Sequence, residues 1–355
     1  MTAVPSCMRF PVSGQRSRNG APELDASALL DAAREQVEPL LREAVDGLAA
    51  PLRRMAGYHF GWWDVEGRPT GSTQGKGLRA ALTFASARAW GADAAVAAPA
   101  AAAVELLHNF TLIHDDVMDG DQLRRGRATV WRVWGVSDAV LLGDALHALS
   151  TRVLLGSPDR VAGPAVALMA STALDLCAGQ HVDCACEHGG GVDVADYLLM
   201  ASGKTGALLG AACALGGLYA GADDASVAAL ETYGRETGIA FQIIDDLLGI
   251  WGDAATTGKV PGNDLARRKR TLPIVAALES DHPAAAELAG LYFDDRVLSK
   301  ADLARVAELV EQAGGMTAAR QLAEQHRLAA MAALPSFIDL FELRILGSSA
   351  INRNR

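Results

Sequence analysis

Apolar residues recur at helical spacing along almost the whole chain. Leu29, Leu30, Ala33, Val37, Leu40 and Leu41 share one face of a helix that starts near Asp25 or Ser27, either of which can cap its first turn. Pro39 falls inside that pattern and predicts a kink. A second helical segment runs from about Ala49 to Tyr58. Gly61, Gly67, Pro69, Gly71, Gly75 and Gly77 then mark residues 61–77 as a loop. Beyond it, helical patterns follow one another to about Leu343, with few alternating stretches and no repeat of fixed period. The pattern predicts an all-α chain of about ten to twelve helices, with no linker to divide residues 23–355. Residues 1–22 read differently: they carry Pro5, Pro11, Gly14, Gly20 and Pro22, with Arg9, Arg16 and Arg18 and no acid. A disordered tail is the expectation there, with a docking partner as the functional alternative.

Composition narrows the class. Half of the 355 residues are apolar but only 5% are aromatic, so alanine and leucine carry the core, and both favour helices. A net charge of −10 argues against a nucleic-acid partner. The uncharged run from Thr205 to Ala222 includes Gly206, Gly210, Gly216, Gly217 and Gly221 and reads as a buried core helix, so no transmembrane segment is expected. The first residues show no compact apolar stretch of a secretory signal. Five cysteines, an odd number, fit a reducing, cytoplasmic setting better than a disulfide framework.

Two acidic clusters interrupt the apolar pattern. Asp115, Asp116 and Asp119 end an apolar helical run, and Asp115 and Asp119, four residues apart, share a face. No lysine or arginine occurs from Ala101 to Gln122, so these acids are not an ordinary mixed-charge surface. All-oxygen ligands in this arrangement point to a divalent cation of the Mg²⁺ type. Arg124, Arg125 and Arg127 follow, suited to diphosphate oxygens, although they can also pair with the acids. The second cluster is Asp245-Asp246, between Phe241-Gln242-Ile243-Ile244 and Leu247-Leu248. Carboxylates in such company need a partner, and a cation shared with the first cluster would supply one. Lys259 and the run Arg267, Arg268, Lys269, Arg270 lie downstream, repeating the order of acids then bases.

Other candidates are weaker singly. Gly75-Lys76-Gly77-Leu78-Arg79 leads from a glycine-rich loop into a helix, where anions are favoured, but it lacks the P-loop spacing. Lys204-Thr205 places a charge and a hydroxyl beside an apolar helix, and an ordinary helix-end lysine is an equal alternative. His108 lies seven residues before Asp115, about two turns along the same face, where a core histidine is the default. Cys184, Cys186, His181 and His188 lack the spacing of a zinc site. With Gln180 and Asp183 among them, a polar helix stripe is the better reading.

Taken in order along the chain, these residues resemble the trans-isoprenyl diphosphate synthase, or polyprenyl synthetase, family. The motifs run from Gly75-Lys76 and Arg79, through His108, Asp115-Asp116-x-x-Asp119 and Arg124-Arg125-Gly126, to Lys204-Thr205, Phe241-Gln242, Asp245-Asp246, Gly258-Lys259 and Lys269. The resemblance covers about Gly75 to Pro273 and, more weakly, the remaining helices. It implies the isoprenoid synthase fold, a helical bundle around a central cavity, assembled as a homodimer. It also implies isopentenyl diphosphate and allylic diphosphates as substrates. Asp115, Asp119 and Asp245 would bind Mg²⁺, about three ions in all. Asp116 and Asp246 would support them. Arg124, Lys204, Thr205, Gln242, Lys259 and Lys269 would hold the allylic diphosphate. Lys76, Arg79, His108 and Arg125 would hold isopentenyl diphosphate.

Two positions depart from the family pattern. Gly249 stands where a third aspartate usually closes the second motif, leaving water or Asp253 to fill the role, and Ala80 stands where proline is common. Phe110 and Thr111, fifth and fourth before Asp115, occupy the positions that floor the chain pocket in the family. A single large residue there resembles the short-chain synthases that make geranylgeranyl diphosphate. The competing readings are a farnesyl diphosphate synthase, a class I terpene cyclase and a weakly active, partner-binding homologue.

Overall fold

The computed structural model describes residues 25–70, 75–187, 192–252, 262–294 and 296–351 of the chain. The expectations for the tail and for His188, Asp253, Gly258 and Lys259 lie outside the described residues. Helix α1 (Ala26–Asp46) begins at Asp25, whose carboxylate accepts the Ala28 N–H at 2.8 Å. It buries Leu29, Ala33, Val37 and Leu41, one stripe of the amphipathic pattern. Helix α2 (Ala50–Phe60) ends at Gly61, in the left-handed region at φ 83°. After the loop come α3 (Leu78–Ala89) and α4 (Ala98–Met118). A two-residue hairpin follows, β1 (Leu123–Arg124) with β2 (Arg127–Ala128). Then come α5 (Val130–Trp134), α6 (Val136–Leu155), α7 (Asp159–Glu187) and α8 (Val194–Ala201). A π-helical turn, Ser202–Gly206, leads into α9 (Ala207–Tyr219) and α10 (Asp224–Trp251). The chain finishes with α11 (Asn263–Ala266), α12 (Leu272–Leu278), α13 (Pro283–Tyr292), α14 (Lys300–Gln312), α15 (Gly315–Ala333) and α16 (Phe341–Ile351).

The all-α expectation holds. Twelve of these α-helices have ten residues or more, the range read from the apolar pattern. The other four, α5, α8, α11 and α12, are at most about two turns long, too short for that period to register. The hairpin departs from the all-helical pattern: positive φ at Arg125 (52°) and Gly126 (75°) gives it a tight turn of the handedness that suits a strand pair.

Helices α3, α4 and α9 fill the centre. From Ala80 to Ala87 every residue of α3 is buried, and α9 is apolar on all sides, as a helix enclosed by others must be. Helix α4 packs against α3, α6 and α9, and α10 packs against α9 and α15. Bare backbone makes part of this possible. A Cβ on Gly238 would stand 2.7 Å from the Cα of Gly206, and one on Gly234 2.8 Å from the Cα of Gly210, so α10 lies directly on the start of α9. Three helical stretches, Ala94–Met118, Asp159–Cys186 and Val194–Tyr219, are long and apolar enough to cross a bilayer by length and composition. In the first and third, most of the apolar window is buried inside the fold.

Candidate active site

The end of α4 carries the first acidic group. Asp115 and Asp116 occupy its last turn, and Asp119 is the C-cap. Asp116 is 2% exposed and held by Arg124 from β1: Nε donates to both carboxylate oxygens at 2.8 and 3.0 Å, and a second guanidinium nitrogen lies 2.7 Å away. Burial raises the Asp116 pKa, and the arginine opposes the rise. Asp115 is different. Burial pushes its carboxyl up to about 6, Lys204 works against that, and the like charge of Asp119 adds to it. Two acids repelling each other at a helix end gain most from a cation.

The hairpin also builds a basic lobe. Arg127 donates to the carbonyls of Tyr58 and Trp63 at 3.0 and 2.8 Å and lies 4.1 Å over the Tyr58 ring, which fastens the hairpin to α2. Arg125 abuts the 75–77 segment, because a Cβ on Gly75 would come within 2.7 Å of its guanidinium. Lys76, the next residue, is exposed. Arg79 of α3 donates from Nη1 to Nε2 of His108 at 3.1 Å. An arginine only donates, so Nε2 accepts and the ring proton belongs on Nδ1. Burial, and then the charges of Arg79, Arg125 and Arg124, push the His108 pKa well below its usual value. His59 of α2 shares this fate. Its pKa falls to about 3 through burial and then Arg125 and Arg124, while Asn109 bonds its Nε2 at 3.0 Å. Glu105, one turn before Asn109, accepts the Ala80 N–H at 3.3 Å and has its pKa raised by burial, against the pull of Arg79.

The second acidic group lies on α10. Asp246 is 6% exposed and is held by three donors: the Tyr197 hydroxyl at 2.7 Å, the Leu272 N–H at 3.1 Å and the Gln242 amide at 3.0 Å. Burial drives its pKa up to about 7, partly countered by these bonds. Gln242 in turn accepts from the Thr205 hydroxyl at 2.7 Å. Thr205 and Lys204 sit on the π-turn, a helix irregularity common at functional sites. The turn is pressed against α7: a Cβ on Gly179 would be 2.3 Å from the Lys204 nitrogen. That contact brings Asp183 of α7 into a salt bridge with the Lys204 ammonium. Burial pulls the Lys204 pKa down, but Asp183, Asp115 and Asp119 outweigh it and hold the pKa raised. Lys204 therefore stays charged, facing the first acidic group from the second side.

Asp183, Tyr197, Lys204, Gln242, Asp245, Asp246, Asp264, Lys269 and Arg270 line a solvent-open cleft of about 720 Å³. Among the described residues, no three His, Cys, Asp or Glu side chains are spaced to close around one ion by themselves. Mg²⁺ takes one or two carboxylates, keeps waters and completes its shell with substrate phosphate. The oxygen-only acids and the raised pKa of Asp115 fit the same cation.

The structure thus brings Asp115, Asp119 and Lys204 into one electrostatic group, and Thr205, Gln242, Asp245, Asp246 and Lys269 into another beside it. Arg79, His108 and Arg125 form a separate lobe. The Arg124 guanidinium is engaged with Asp116, the pairing that the sequence left open. Phe110 is buried at the α6 side of α4, its ring stacked 5.1 Å from His147 and edge-on to His114 at 4.8 Å. Thr111 donates to the His108 carbonyl at 2.8 Å. Sequence reasoning missed His59, Glu105, Tyr197 and Asp264. Glu105 left a signal, as the one charge in the apolar stretch from Ala94 to Leu107. Tyr197 left none, since it meets Asp246 across 49 residues.

An all-α bundle with aspartate pairs on two separate helices, an open cleft at the second and a basic lobe apart from it is an isoprenoid synthase fold. Residues 69–310 match the polyprenyl synthetase family model. The chain is 54% identical over 312 residues to a geranylgeranyl diphosphate synthase of Mycobacterium tuberculosis, covering 88% of this chain and 89% of that one. It is 42% identical to a (2E,6E)-farnesyl diphosphate synthase of Mycobacterium bovis, covering 84% of each. A polyprenyl synthase from Caulobacter crescentus, crystallised with calcium and isoprenyl diphosphate, superposes with a TM-score of 0.78 at 30% identity, covering 94% of this chain and 99% of that one. The chain belongs to the polyprenyl synthetase family, and it is a trans-prenyltransferase.

Proposed function

We propose that the protein condenses isopentenyl diphosphate with allylic diphosphates and ends at all-trans geranylgeranyl diphosphate. The observation that carries the reading is the division of charge: an acid-lined cleft at α10 whose Lys204 meets the charges of Asp115 and Asp119, and a separate lobe of Arg79, Arg125 and neutral His108. One diphosphate needs cations and must leave; the other needs holding and must stay. Product length is supported by the 54% identical relative and by the single large residue Phe110 before the first motif, with Thr111 after it.

Mg²⁺, about three ions by family likeness, would supply neutralising charge to an allylic diphosphate that departs with the electrons of the C–O bond. Asp115, Asp119 and Asp245 would hold it, in a site whose oxygen-only acids fit that cation. Lys204, Thr205, Gln242 and Lys269 face the departing oxygens, joined by Lys259 and Arg124 in the proposed set. Lys76, Arg79, His108 and Arg125 keep isopentenyl diphosphate fixed, so that its terminal double-bond carbon attacks C1 of the allylic cation. A proton is then lost from C2 of the isopentenyl unit, and the released diphosphate takes it. His108, kept neutral by burial and then by its arginines, binds without adding a charge that would oppose the cation.

The test is direct. Purified protein is incubated with Mg²⁺, isopentenyl diphosphate and, separately, dimethylallyl, geranyl and farnesyl diphosphates, with Asp115→Ala alongside. Linear C20 alcohols after dephosphorylation are the expected result. A C15 end point makes the protein a farnesyl diphosphate synthase, and cyclic hydrocarbon formed without isopentenyl diphosphate overturns the reading.

The proposal extends to assembly and place. A homodimer through α6 is supported by Val136, Val140, Leu141 and Leu155, apolar residues left exposed along that helix. The first and third of the long apolar stretches are read as core helices, supported by their burial, and the odd number of cysteines favours the cytoplasm.

A further inference from the structure

Lys204 and Thr205 reach the cleft from a π-helical turn, and the structure shows what holds that turn in place. It is closed by the Ala207 N–H donating to the Ser202 carbonyl, five residues back, a rare geometry that aims its side chains differently from an α-turn. Two helices press on it. From α7, Asp175, Gly179 and Asp183 stand four residues apart on one face. A Cβ on Gly203 would lie 2.8 Å from the Asp175 carbonyl oxygen, Gly179 meets the backbone of Gly203 and Lys204, and Asp183 pairs with the Lys204 ammonium. From α10, a single side chain spans the turn. A Cβ on Gly206 would be 3.1 Å from Cγ of Arg235, so the arginine's stem covers the last residue of the turn. Its guanidinium reaches the first residue: Nη1 donates to the Ser202 hydroxyl at 3.4 Å. Nη2 donates to Asp175 of α7 at 2.9 Å and to Glu231 of α10 at 3.2 Å. Arg235 lies about three turns before Asp245 on α10 and does not line the cleft.

We propose that Arg235 is a positioning residue: by tying both ends of the π-turn to α7 and α10, it fixes the direction from which Lys204 meets the allylic diphosphate. The inference rests on the assignment of Lys204 to that diphosphate. Isopentenyl diphosphate belongs to the separate lobe of Arg79, His108 and Arg125, so Arg235 serves one substrate and not the other. A lysine at 235 keeps a charge for Asp175 but lacks the planar fork that reaches Ser202 as well.

The experiment is a split of the two KM values. Initial rates of the full-length enzyme with Mg²⁺ are measured while geranyl diphosphate is varied at saturating isopentenyl diphosphate, and then the reverse. The variants are Arg235→Gln, Arg235→Lys, Lys204→Met and the double variant Arg235→Gln with Lys204→Met. Arg235→Gln is expected to raise KM for geranyl diphosphate about fivefold or more and to leave KM for isopentenyl diphosphate within about twofold. Arg235→Lys should recover to within about threefold of wild type. The double variant should be no worse than Lys204→Met by more than about twofold, because Arg235 acts through that lysine. The melting temperature of Arg235→Gln should fall by no more than about 3 °C, since Arg235 and Asp175 are both partly exposed. An unchanged KM for geranyl diphosphate in Arg235→Gln overturns the proposal. So do equal rises in both KM values, or effects of Arg235→Gln and Lys204→Met that multiply. Should Arg235→Gln not fold, Asp175→Asn removes the α7 end of the same tie and decides by the same two KM values. A Lys204→Met enzyme with the wild-type KM for geranyl diphosphate would sink the assignment of Lys204 and this inference together, whereas an impaired Lys204→Met beside a normal Arg235→Gln sinks this inference alone.

Discussion

Asp116 and Asp246 hold equivalent places on α4 and α10. Each is the second of two adjacent aspartates, each is nearly inaccessible, and each bonds through both oxygens. Yet they are satisfied differently. Asp116 has a cation, the guanidinium of Arg124, in two-oxygen contact. Asp246 has only neutral donors, a phenol, an amide and a backbone N–H. The consequence shows in the charge of the site. Burial lifts both carboxyls; on Asp246, which rises to about 7, only its neutral donors oppose the rise and Asp264 adds to it, while on Asp116 the charge of Arg124 opposes it. Within this cleft, burial and hydrogen bonding fix a carboxylate's position, while a paired arginine fixes its charge.

The comparison breaks most sharply at Arg124. Arg124→Ala leaves the Asp116 carboxylate buried without its cation, and losing one member of such a pair costs about 3–5 kcal/mol. A matching loss on the other side, Tyr197→Phe, removes one neutral donor of three and should cost about 1–3 kcal/mol. Denaturant unfolding of both variants, at pH 7.5 without substrate, checks the order. Equal losses would mean that Arg124 acts as one more hydrogen-bond donor and that its charge is irrelevant to the fold.

A pH series sharpens the same contrast from the histidine side. His59 lies among Arg124, Arg125 and Arg127 and has a folded pKa of about 3 against an ordinary 6.5. Between those values the unfolded chain binds a proton that the folded chain does not. Stability then falls as pH drops from about 6.5 toward 3, and is fully present above 6.5. His59→Gln keeps an amide near Asn109 and removes the titration, so its melting temperature should fall less steeply over that window. His108 titrates in the same direction, so the slope is reduced rather than abolished. Parallel curves for wild type and variant would show that His59 is not held neutral by burial and its arginines.

The fold was legible where a rule acts within one helix. The stripe of α1 and the shared face of Asp115 and Asp119 follow from i, i+4 spacing alone. So did the burial of the glycine-rich run, where α9 lies against α10. What stayed hidden joins distant parts of the chain. Tyr197 reaches Asp246 from α8, and Asp183 reaches Lys204 only because two glycines let α7 touch the π-turn. Gly249 is the instructive case. From sequence it reads as a missing ligand, since spacing on one helix says nothing about residue 264. In three dimensions the same glycine is an opening that the Asp264 carboxylate enters. Arg124 was ambiguous for the opposite reason: its chemistry suits a diphosphate and a carboxylate equally, and only geometry shows that it meets Asp116.

The smallest expected effect concerns a place where, among the described residues, the two acidic regions are tied directly at the surface. Arg267, from the segment after α11, donates to Asp121 Oδ1 at 2.9 Å and to the Asp119 carbonyl at 3.2 Å. Both side chains of the pair are about one-third exposed, at 34% each, so water and salt screen the attraction. An exposed pair of this kind contributes about 0–1 kcal/mol, and Arg267→Ala should change unfolding free energy by no more than that. The second bond makes the variant informative beyond stability. Asp119 is the C-cap of α4, and its carbonyl is oriented by a residue from the opposite side of the cleft. Losing that bond frees the two sides to separate without altering either acid. The expected result is a stability change within about 1 kcal/mol that vanishes in high salt, together with an altered hydrogen-exchange rate in residues 119–122 and 262–271. A loss well above 1 kcal/mol would mean that the two halves hold each other in place, and that the difference between Asp116 and Asp246 is not local to each helix.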